Sequence, residues 1–528
     1  MKKKMKNILL LIIIQCSLFI NHCIAQPTIQ WEQSYGGSLA DLANSIIQTN
    51  DGGYIVAGYS KSTDDDVTNN HGENDYWVVK LDSQGVIQWE NSYGGSDNEV
   101  ANSIIQTRDS GYVIGGYTGS NDDEVIGIHS MYDDYWLVKI NDSGVFQWGK
   151  CYGGSLNDDA RSVIQTNDGG FMIVGASEST DGDVVGNYGA WNAWVVKTND
   201  TGAIQWTKCY GGSEVDGAMD VHQTIDGGYI LACSASSVDS EVVGNHGGYD
   251  YWVVKIDSIG TIQWSKCYGG SADDLLQKVI ITNDGGYALA GVSYSSDGDI
   301  TNSYGNGDYW IVKIDSGGII QWQKSYGGSG EDIATSIVQN SDASYYIGGY
   351  TQSYDGEVTG NHGSGNLDYW VIKINSQGSM LWEKCLGGSQ TEYAYAGCSS
   401  NDGSFLIAGA SVSDDGDVTG HHGTTANYDY WVVKLFPDSI TTGINEVNSS
   451  NGISIYPNPT NSTITLHFNQ SGIVNYELRI IDVFGREIYK ESVTSNDTKI
   501  DVSKWSEGVY FYQITSEKET YRGKFIVN

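Results

Sequence analysis

One phrase of fifteen residues constrains the fold more than any other feature, because it occurs seven times: residues 75–89 read Asp-Tyr-Trp-Val-Val-Lys-Leu-Asp-Ser-Gln-Gly-Val-Ile-Gln-Trp. Its first tryptophan recurs as Trp77, Trp136, Trp194, Trp252, Trp310, Trp370 and Trp431. Its closing one recurs as Trp89, Trp148, Trp206, Trp264, Trp322 and Trp382, with Trp31 as the seventh. Fourteen of the 16 tryptophans belong to this phrase, at steps of 58 to 61 residues. A fixed period of that size means one supersecondary unit that buries its apolar face only by packing on its neighbours.

Turn chemistry divides each unit into four short strands. In the first unit residues 44–49 and 54–59 are apolar runs around Asn50-Asp51-Gly52-Gly53, and a polar acidic loop, 60–74, leads into residues 76–81. The phrase itself reads as a hairpin, with Val78, Val79 and Leu81 on one strand, Val86, Ile87 and Trp89 on the next, and Gly85 free to take a positive φ between them. Four antiparallel strands in about 58 residues predict one blade of a β-propeller, and seven copies predict a seven-bladed ring, with an open solenoid as the alternative. The last unit lacks an outer strand that residues 28–35 can supply, so pairing 28–35 with 430–435 is expected to close the ring.

Composition fits an ordered, exported protein. Aromatic residues make up 12%, and none of the four prolines (Pro27, Pro437, Pro457, Pro459) falls between the first and last repeat. Residues 1–25 read as a signal peptide: Lys2, Lys3, Lys4 and Lys6 precede the apolar run 8–14, and Cys23-Ile24-Ala25 offers a cleavage site before Gln26. The apolar run is shorter than the roughly 20 residues a membrane span requires, and no transmembrane segment is expected. Removing 1–25 removes four lysines and no acid, taking the formal charge from −37 to −41. Such a surface repels nucleic acid and anionic membranes and favours cations or cationic partners. Cys151, Cys209, Cys267 and Cys385 share one repeat position, where Ser34, Ser92 and Ser325 stand in other copies. Equivalent positions on successive units are too far apart for a disulfide, and Cys233 and Cys398 read as buried thiols.

The hairpin resembles the tryptophan-docking repeat of quinoprotein-type propellers, with Asp82, Gly85 and Trp89 placed alike; the resemblance does not extend to a quinone ligand set. After the polar linker 437–451 the repeat stops. Tyr456-Pro457-Asn458-Pro459, the run Asp-Val-Ser-Lys-Trp-Ser-Glu-Gly-Val-Tyr from Asp501 through Gly508, Val509 and Tyr510, and an ending with Lys524 resemble the type A sorting domain of type IX secretion substrates. That resemblance implies a small immunoglobulin-like β-sandwich over 452–528, a partner in the type IX machinery, and delivery to the outer cell surface or medium. The expected organisation is therefore all-β: signal peptide 1–25, seven-bladed β-propeller 26–436, linker 437–451 and sorting domain 452–528, in a monomer.

Four acidic positions recur. Asp41, Glu99, Asp158, Asp216, Asp274, Asp332 and Glu392 precede the inner strand and are expected on an acidic rim. Pairs two residues apart lie in the acidic loop: Asp64 and Asp66, Asp122 and Glu124, Asp181 and Asp183, Asp239 and Glu241, Asp297 and Asp299, Asp355 and Glu357, Asp415 and Asp417. The fourth position is Asp75, Asp134, Asp250, Asp308, Asp368 and Asp429, with Asn192 in the third unit. Antiparallel topology puts these on one face. Asp-Gly-Asp spacing, as at 297–299, makes Asp64, Asp66, Asp181, Asp183, Asp297, Asp299, Asp415 and Asp417 candidate calcium ligands; turn capping by aspartate beside glycine is the competing reading. The recurrent lysines (Lys80, Lys139, Lys197, Lys255, Lys313, Lys373, Lys434) fit snorkelling or pairing with carboxylates. His71, His246, His362 and His422 fit surface roles in the loop, because one per blade does not converge as zinc ligands do.

No Ser-His-Asp set, phosphate-cradling loop or cysteine-pair zinc motif occurs, and no cofactor is assigned beyond candidate calcium. Near-equivalent units offer the same group seven times, whereas catalysis needs unlike groups in unlike environments. The expected function is a secreted or cell-surface binding module for a glycan, protein or cationic ligand. A polysaccharide-acting enzyme using paired carboxylates and a structural surface component are the alternatives.

Overall fold

A computed structural model describes residues 26–437 except 364 and 425. It also describes 453–456, 460, 462–468, 476–482, 486–493, 495–506, 508–516 and 520–527. The expected signal peptide, and the linker beyond 437, lie outside the described residues. The chain divides into two compact units, 1–439 and 440–528.

The larger unit is built of repeated four-stranded antiparallel sheets. Strand β1 is Ile29–Tyr35; the first sheet then runs in chain order through β2 (Asp41–Gln48), β3 (Tyr54–Ser60), β4 (Asp75–Leu81) and β5 (Ile87–Tyr93). Five further sheets repeat that order, and the seventh combines Glu392–Ser399, Phe405–Ser411 and Asp429–Leu435 with β1. The pairing of β1 is antiparallel, Tyr35 opposite Tyr430 and Ile29 opposite Leu435, as the repeat phase predicted.

Two strand starts differ from the sequence reading. The first strand of the first sheet begins at Asp41 rather than 44, because a bulge between Ala43 and Ser45 absorbs Asn44 and lets the ladder continue through polar residues. The third strand begins at Asp75, which pairs with Ser60. Both aspartates read as loop because strands disfavour the residue type; their partners come from elsewhere in the fold.

The core lies between sheets. Ile55, Ala57, Tyr76 and Val78 of the first sheet pack with Ala101, Ile104, Ile114, Trp136 and Val138 of the second. Leu406, Ala408, Tyr430 and Val432 of the seventh pack in the same way with Ala43, Ile46, Val56, Trp77 and Val79 of the first. Trp77 and its six counterparts are among the largest fully buried side chains. Each buries about 150–250 Å², which at roughly 25 cal/mol per Å² contributes on the order of 4–6 kcal/mol.

The closing tryptophans reach from one sheet to the next. A Cβ on Gly85, Gly144, Gly202, Gly260, Gly318 or Gly378 would lie 2.9–3.1 Å from the ring of Trp31, Trp89, Trp148, Trp206, Trp264 or Trp322, and each of these glycines has a φ of +75 to +82°. Glycine is required there on both counts. The tyrosine four residues after each tryptophan donates to the same glycine's carbonyl, as from Tyr35 to Gly85 at 2.5 Å and from Tyr152 to Gly202 at 2.6 Å.

The smaller unit has two sheets. One contains Ile453–Tyr456, Thr463–Phe468 and Asp497–Asp501; the other orders Glu487–Val493, Tyr476–Asp482, Gly508–Thr515 and Thr520–Val527. Ile464, Leu466 and Ile500 from the first share a core with Leu478, Ile480, Tyr510, Ile514 and Phe525 from the second.

Candidate functional site

The loops that cross from one sheet to the next meet the acidic loops, and their bonds account for most recurrent carboxylates. Asp41, Glu99, Asp158, Asp216, Asp274, Asp332 and Glu392 are buried rather than exposed on a rim. Each accepts the N–H of the glycine four residues earlier at 2.7–2.9 Å, as Asp41 does from Gly37. Serine and threonine hydroxyls add further bonds, from Ser60 and Ser62 to Asp41 and from Thr118 to Glu99. Burial nonetheless dominates, pushing Asp41, Asp158 and Asp274 up to about 6 and Glu392 to about 7.

The acidic-loop pairs clip onto the Gly-Gly-Ser segments. Asp64, Asp122, Asp181, Asp239, Asp297, Asp355 and Asp415 accept the N–H of Ser38 and its equivalents at 2.6–2.9 Å. Asp66, Asp299 and Asp417 face the N–H of Gly36, Gly269 and Gly387 at 3.3–3.4 Å, and Asp183 faces His129 at 3.5 Å. The oxygens considered for calcium thus meet N–H donors. Among the described residues no group of three or more His, Cys, Asp or Glu side chains is placed to hold a metal ion.

The fourth acidic position is buried as well. Asp75, Asp134, Asp250, Asp368 and Asp429 each accept from the backbone N–H and meet the Nδ1 of a loop histidine: His71, His129, His246, His362 and His422. The far nitrogen of three of these rings approaches the next unit's acid: His129 to Asp183, His362 to Asp417 and His422 to Asp66, at 3.5–4.0 Å. Burial disfavours the charged ring of His71 and of His129, but the hydrogen bonds to Asp75 and Asp134 outweigh it and raise both pKa values. These histidines join neighbouring units, and His129 stands apart from the other four in sequence because Ser130 rather than glycine follows it.

The seven lysines turn to the opposite end of each sheet. Lys80 is buried, and its Nζ donates to Asp51 of the Asn-Asp-Gly-Gly turn, the Leu81 carbonyl and Gln88 at 2.9–3.1 Å. Lys139, Lys197, Lys255, Lys313, Lys373 and Lys434 pair in the same way with Asp109, Asp168, Asp226, Asp284, Asp342 and Asp402. The six described cysteines are free thiols; burial pushes Cys151, Cys209, Cys267 and Cys398 up to about 12.

Unlike residues gather along the first two strands of the sheets and the segments beside them, where a search for recurrence does not look. The position of Ser45 is Ser103, Ser162, Asp220, Lys278, Ser336 and Ala396 in the other units. Asp220 accepts from Ser162 Oγ at 2.9 Å and from Val279 N at 3.3 Å, with His222 at 3.6 Å and Lys278 at 3.9 Å. Burial opposes its ionisation, but Lys278 and His222 hold its carboxyl well below the usual range. Near the acidic-loop end, Tyr393 and Tyr395 lie parallel, 5.9 Å apart and 8° between planes. Tyr350 meets Tyr393 edge-on at 5.2 Å and Tyr428 meets it at 6.0 Å. Tyr59 and Tyr117 continue the group. Burial raises both pKa values, and the phenol of Tyr428 adds to Tyr59 and that of Tyr59 to Tyr117. Comparing the seven copies for differences rather than repeats would have found every one of these.

In the smaller unit Tyr456 is exposed, while Pro457, Asn458 and Pro459 lie outside the described residues. Gly508, Val509 and Tyr510 open a strand paired with the last one, Gly508 opposite Val527 and Phe511 opposite Lys524. Tyr510 packs on Trp505 at 4.9 Å and donates to the Ser506 carbonyl at 2.8 Å. Residues 454–528 match the sequence family described as the secretion system C-terminal sorting domain. The chain carries a type IX sorting domain. Through that domain the protein meets the type IX machinery and crosses the outer membrane, to be secreted or held at the cell surface. Among the described residues no helix is long and apolar enough to cross a membrane.

The other likenesses are remote. The regulatory protein FlaEY of Caulobacter vibrioides is 23% identical over 411 residues, covering 68% of this chain and 41% of that protein. The chain thus spans about two fifths of that relative's length. Among solved structures, a fungal alcohol oxidase of the AA5 family in complex with copper aligns at 10% identity and a TM-score of 0.40, over 95% of this chain and 99% of that one. BBS1N in complex with ARL6DN aligns at 8% and 0.38, over 79% and 98%. The PQQ-bound aldose sugar dehydrogenase of Streptomyces coelicolor aligns at 8% and 0.33, over 63% and 93%.

Proposed function

We propose that residues 26–436 form a seven-bladed β-propeller that acts outside the cell as a binding module. Residues 1–25 would serve as its signal peptide, 437–451 as a linker, and 452–528 as an immunoglobulin-like sorting domain. The ring is supported by the antiparallel pairing of β1 with Asp429–Leu435 and by contacts from the seventh sheet to the first that repeat those at other junctions, including Tyr430 OH to the Trp77 carbonyl at 2.9 Å.

One observation carries the binding reading: most recurrent polar groups bond to one another, and the Oδ1 of Asp75, Asp134, Asp250, Asp308, Asp368 and Asp429, unpartnered among the described residues, is buried, while the residues that differ between units gather on the first two strands of the sheets and the segments beside them. The acids clip loops, the lysines clip turns and the histidines join neighbouring units. What remains for a ligand is the divergent surface. Ser162 Oγ donates to Asp220 rather than to a histidine, which favours binding over hydroxyl-based hydrolysis.

A glycan array and a surface-protein pull-down with the full chain test this reading, followed by a hydrolysis assay on any hit. Specific, saturable binding without turnover is the expected result; turnover would replace the binding module with an enzyme. For export, truncation after Leu435 is expected to leave the protein in the periplasm, read by fractionation. Normal surface delivery of the truncated chain would defeat the assignment.

A further inference from the structure

The tyrosines of the divergent surface are dispensable to the repeat. Tyr393 stands where other units carry Leu42, Val100, Asp159, Gly217, Leu275 and Ile333, and Tyr395 where they carry Asn44, Asn102, Arg161, Met219, Gln277 and Thr335. Tyr59, Tyr117 and Tyr350 stand where the other four units carry Ala176, Ser234, Val292 and Ala410. All are half-buried. The hydroxyls of Tyr59, Tyr117, Tyr350, Tyr393, Tyr395 and Tyr428 make no hydrogen bond among the described residues. Framework tyrosines behave otherwise, donating from Tyr76 to the Trp136 carbonyl and from Tyr135 to the Trp194 carbonyl at 3.0–3.1 Å.

Carboxylates stand at both ends of this aromatic surface. At one end Glu331 accepts from Tyr294 and lies close enough to Tyr350 to raise its pKa after burial has done so. At the other, beside Tyr117, Asp133 is pushed up to about 6 by burial and by the nearby charges of Asp159, Asp97 and Asp134. Arg161 is held by Asp159 at 3.5 Å. Ring faces attract cations through their quadrupole, and converging carboxylates are relieved by positive charge. An anionic ligand would meet repulsion from both.

We propose that Tyr59, Tyr117, Tyr350, Tyr393, Tyr395 and Tyr428, ending at Asp133 and Glu331, form a docking surface for a basic polypeptide segment. Lysine or arginine side chains lie over the rings and end on the carboxylates. The acids belong to different sheets with the tyrosines between them, which suits an extended ligand with several charges rather than one amine. The proposal rests on the binding-module reading and names the partner's chemistry.

Fluorescence anisotropy of the full chain with labelled deca-lysine and deca-arginine, at physiological salt, tests it. Three variants install residues that other units already carry or remove one charge: Tyr393→Leu with Tyr395→Asn, Tyr59→Ala, and Asp133→Asn. Each is expected to weaken binding about tenfold. The control Asp65→Asn with Asp123→Asn, on exposed acidic loops, is expected to change it less than twofold. Unaltered affinity in the tyrosine variants, or an equal loss in the control, would reduce the effect to bulk charge and overturn the proposal. A chito-oligosaccharide that binds where both peptides fail, and is lost in the same variants, would reassign the site to a glycan while leaving the binding module standing. Failure of peptides, glycan array and pull-down together would end both.

Discussion

Two sets of tyrosines occupy the same protein and behave in opposite ways. Tyr76, Tyr135, Tyr251, Tyr309, Tyr369 and Tyr430 are fully buried, and each donates to a tryptophan carbonyl of the next sheet at 2.8–3.1 Å. Tyr393, Tyr395 and their neighbours are half-buried, with hydroxyls that make no hydrogen bond among the described residues. The first set recurs because six of the seven junctions are joined by the same bond. The second varies because no junction needs it, and that freedom makes it the better place to look for recognition.

The third unit is the framework's own exception. Ala193 stands where the other units carry the bonding tyrosine, and Cys233 stands where the next unit elsewhere carries glycine. A Cβ on Gly58, Gly116, Gly175, Gly291 or Gly349 would lie 2.6–2.8 Å from that tyrosine's hydroxyl. Where the tyrosine is missing, the glycine has become cysteine, buried with its pKa raised by desolvation. A Cβ at those five glycines would also lie 1.9–2.1 Å from a backbone carbonyl of the paired strand, so the loss of the tyrosine relieves one of two close contacts.

The contrast breaks first at the framework. Trp77→Ala is expected to cost about 3–5 kcal/mol, read from denaturant unfolding; a loss below about 1 kcal/mol would show that the docked tryptophans are not the core. In a double-mutant cycle, Ala193→Tyr alone should clash and Cys233→Gly alone should leave a void. Together they should couple by about 1–3 kcal/mol, and additivity would disprove the exchange. Tyr395→Asn, by comparison, should stay within about 0.5 kcal/mol.

The buried acids give the framework a pH signature smaller per group but repeated. Asp41, Asp158, Asp274, Asp308, Asp368 and Asp429 sit near 6 against an ordinary 3.8. Between those values the folded state binds more protons than the unfolded, so stability falls as pH rises from about 4 to about 7. Asp51, Asp226, Asp284 and Asp402 are held near 2, their hydrogen bonds to Lys80, Lys255, Lys313 and Lys434 and to nearby hydroxyls and N–H groups outweighing desolvation. That contribution is lost as pH drops from about 4 to about 2. A melting temperature highest near pH 4–5 is expected; a steady rise to pH 7 would mean the buried acids are better solvated than their geometry implies.

The seven units, their four strands, the hairpin glycines and the part supplied by residues 28–35 were all legible in the chain, because periodicity and turn chemistry are local. So was the sorting domain, through Tyr456-Pro457-Asn458-Pro459 and the strand from Gly508. Tertiary structure alone decided what the polar residues do. Asp41 and Asp75 look like loop acids until hydroxyls and N–H groups arrive from adjacent segments, and Lys80 finds Asp51 only across the sheet. The tyrosine surface is the furthest from local information: Tyr59 and Tyr428 stand at opposite ends of the repeat region, and their phenols come within electrostatic reach because the seventh sheet packs on the first.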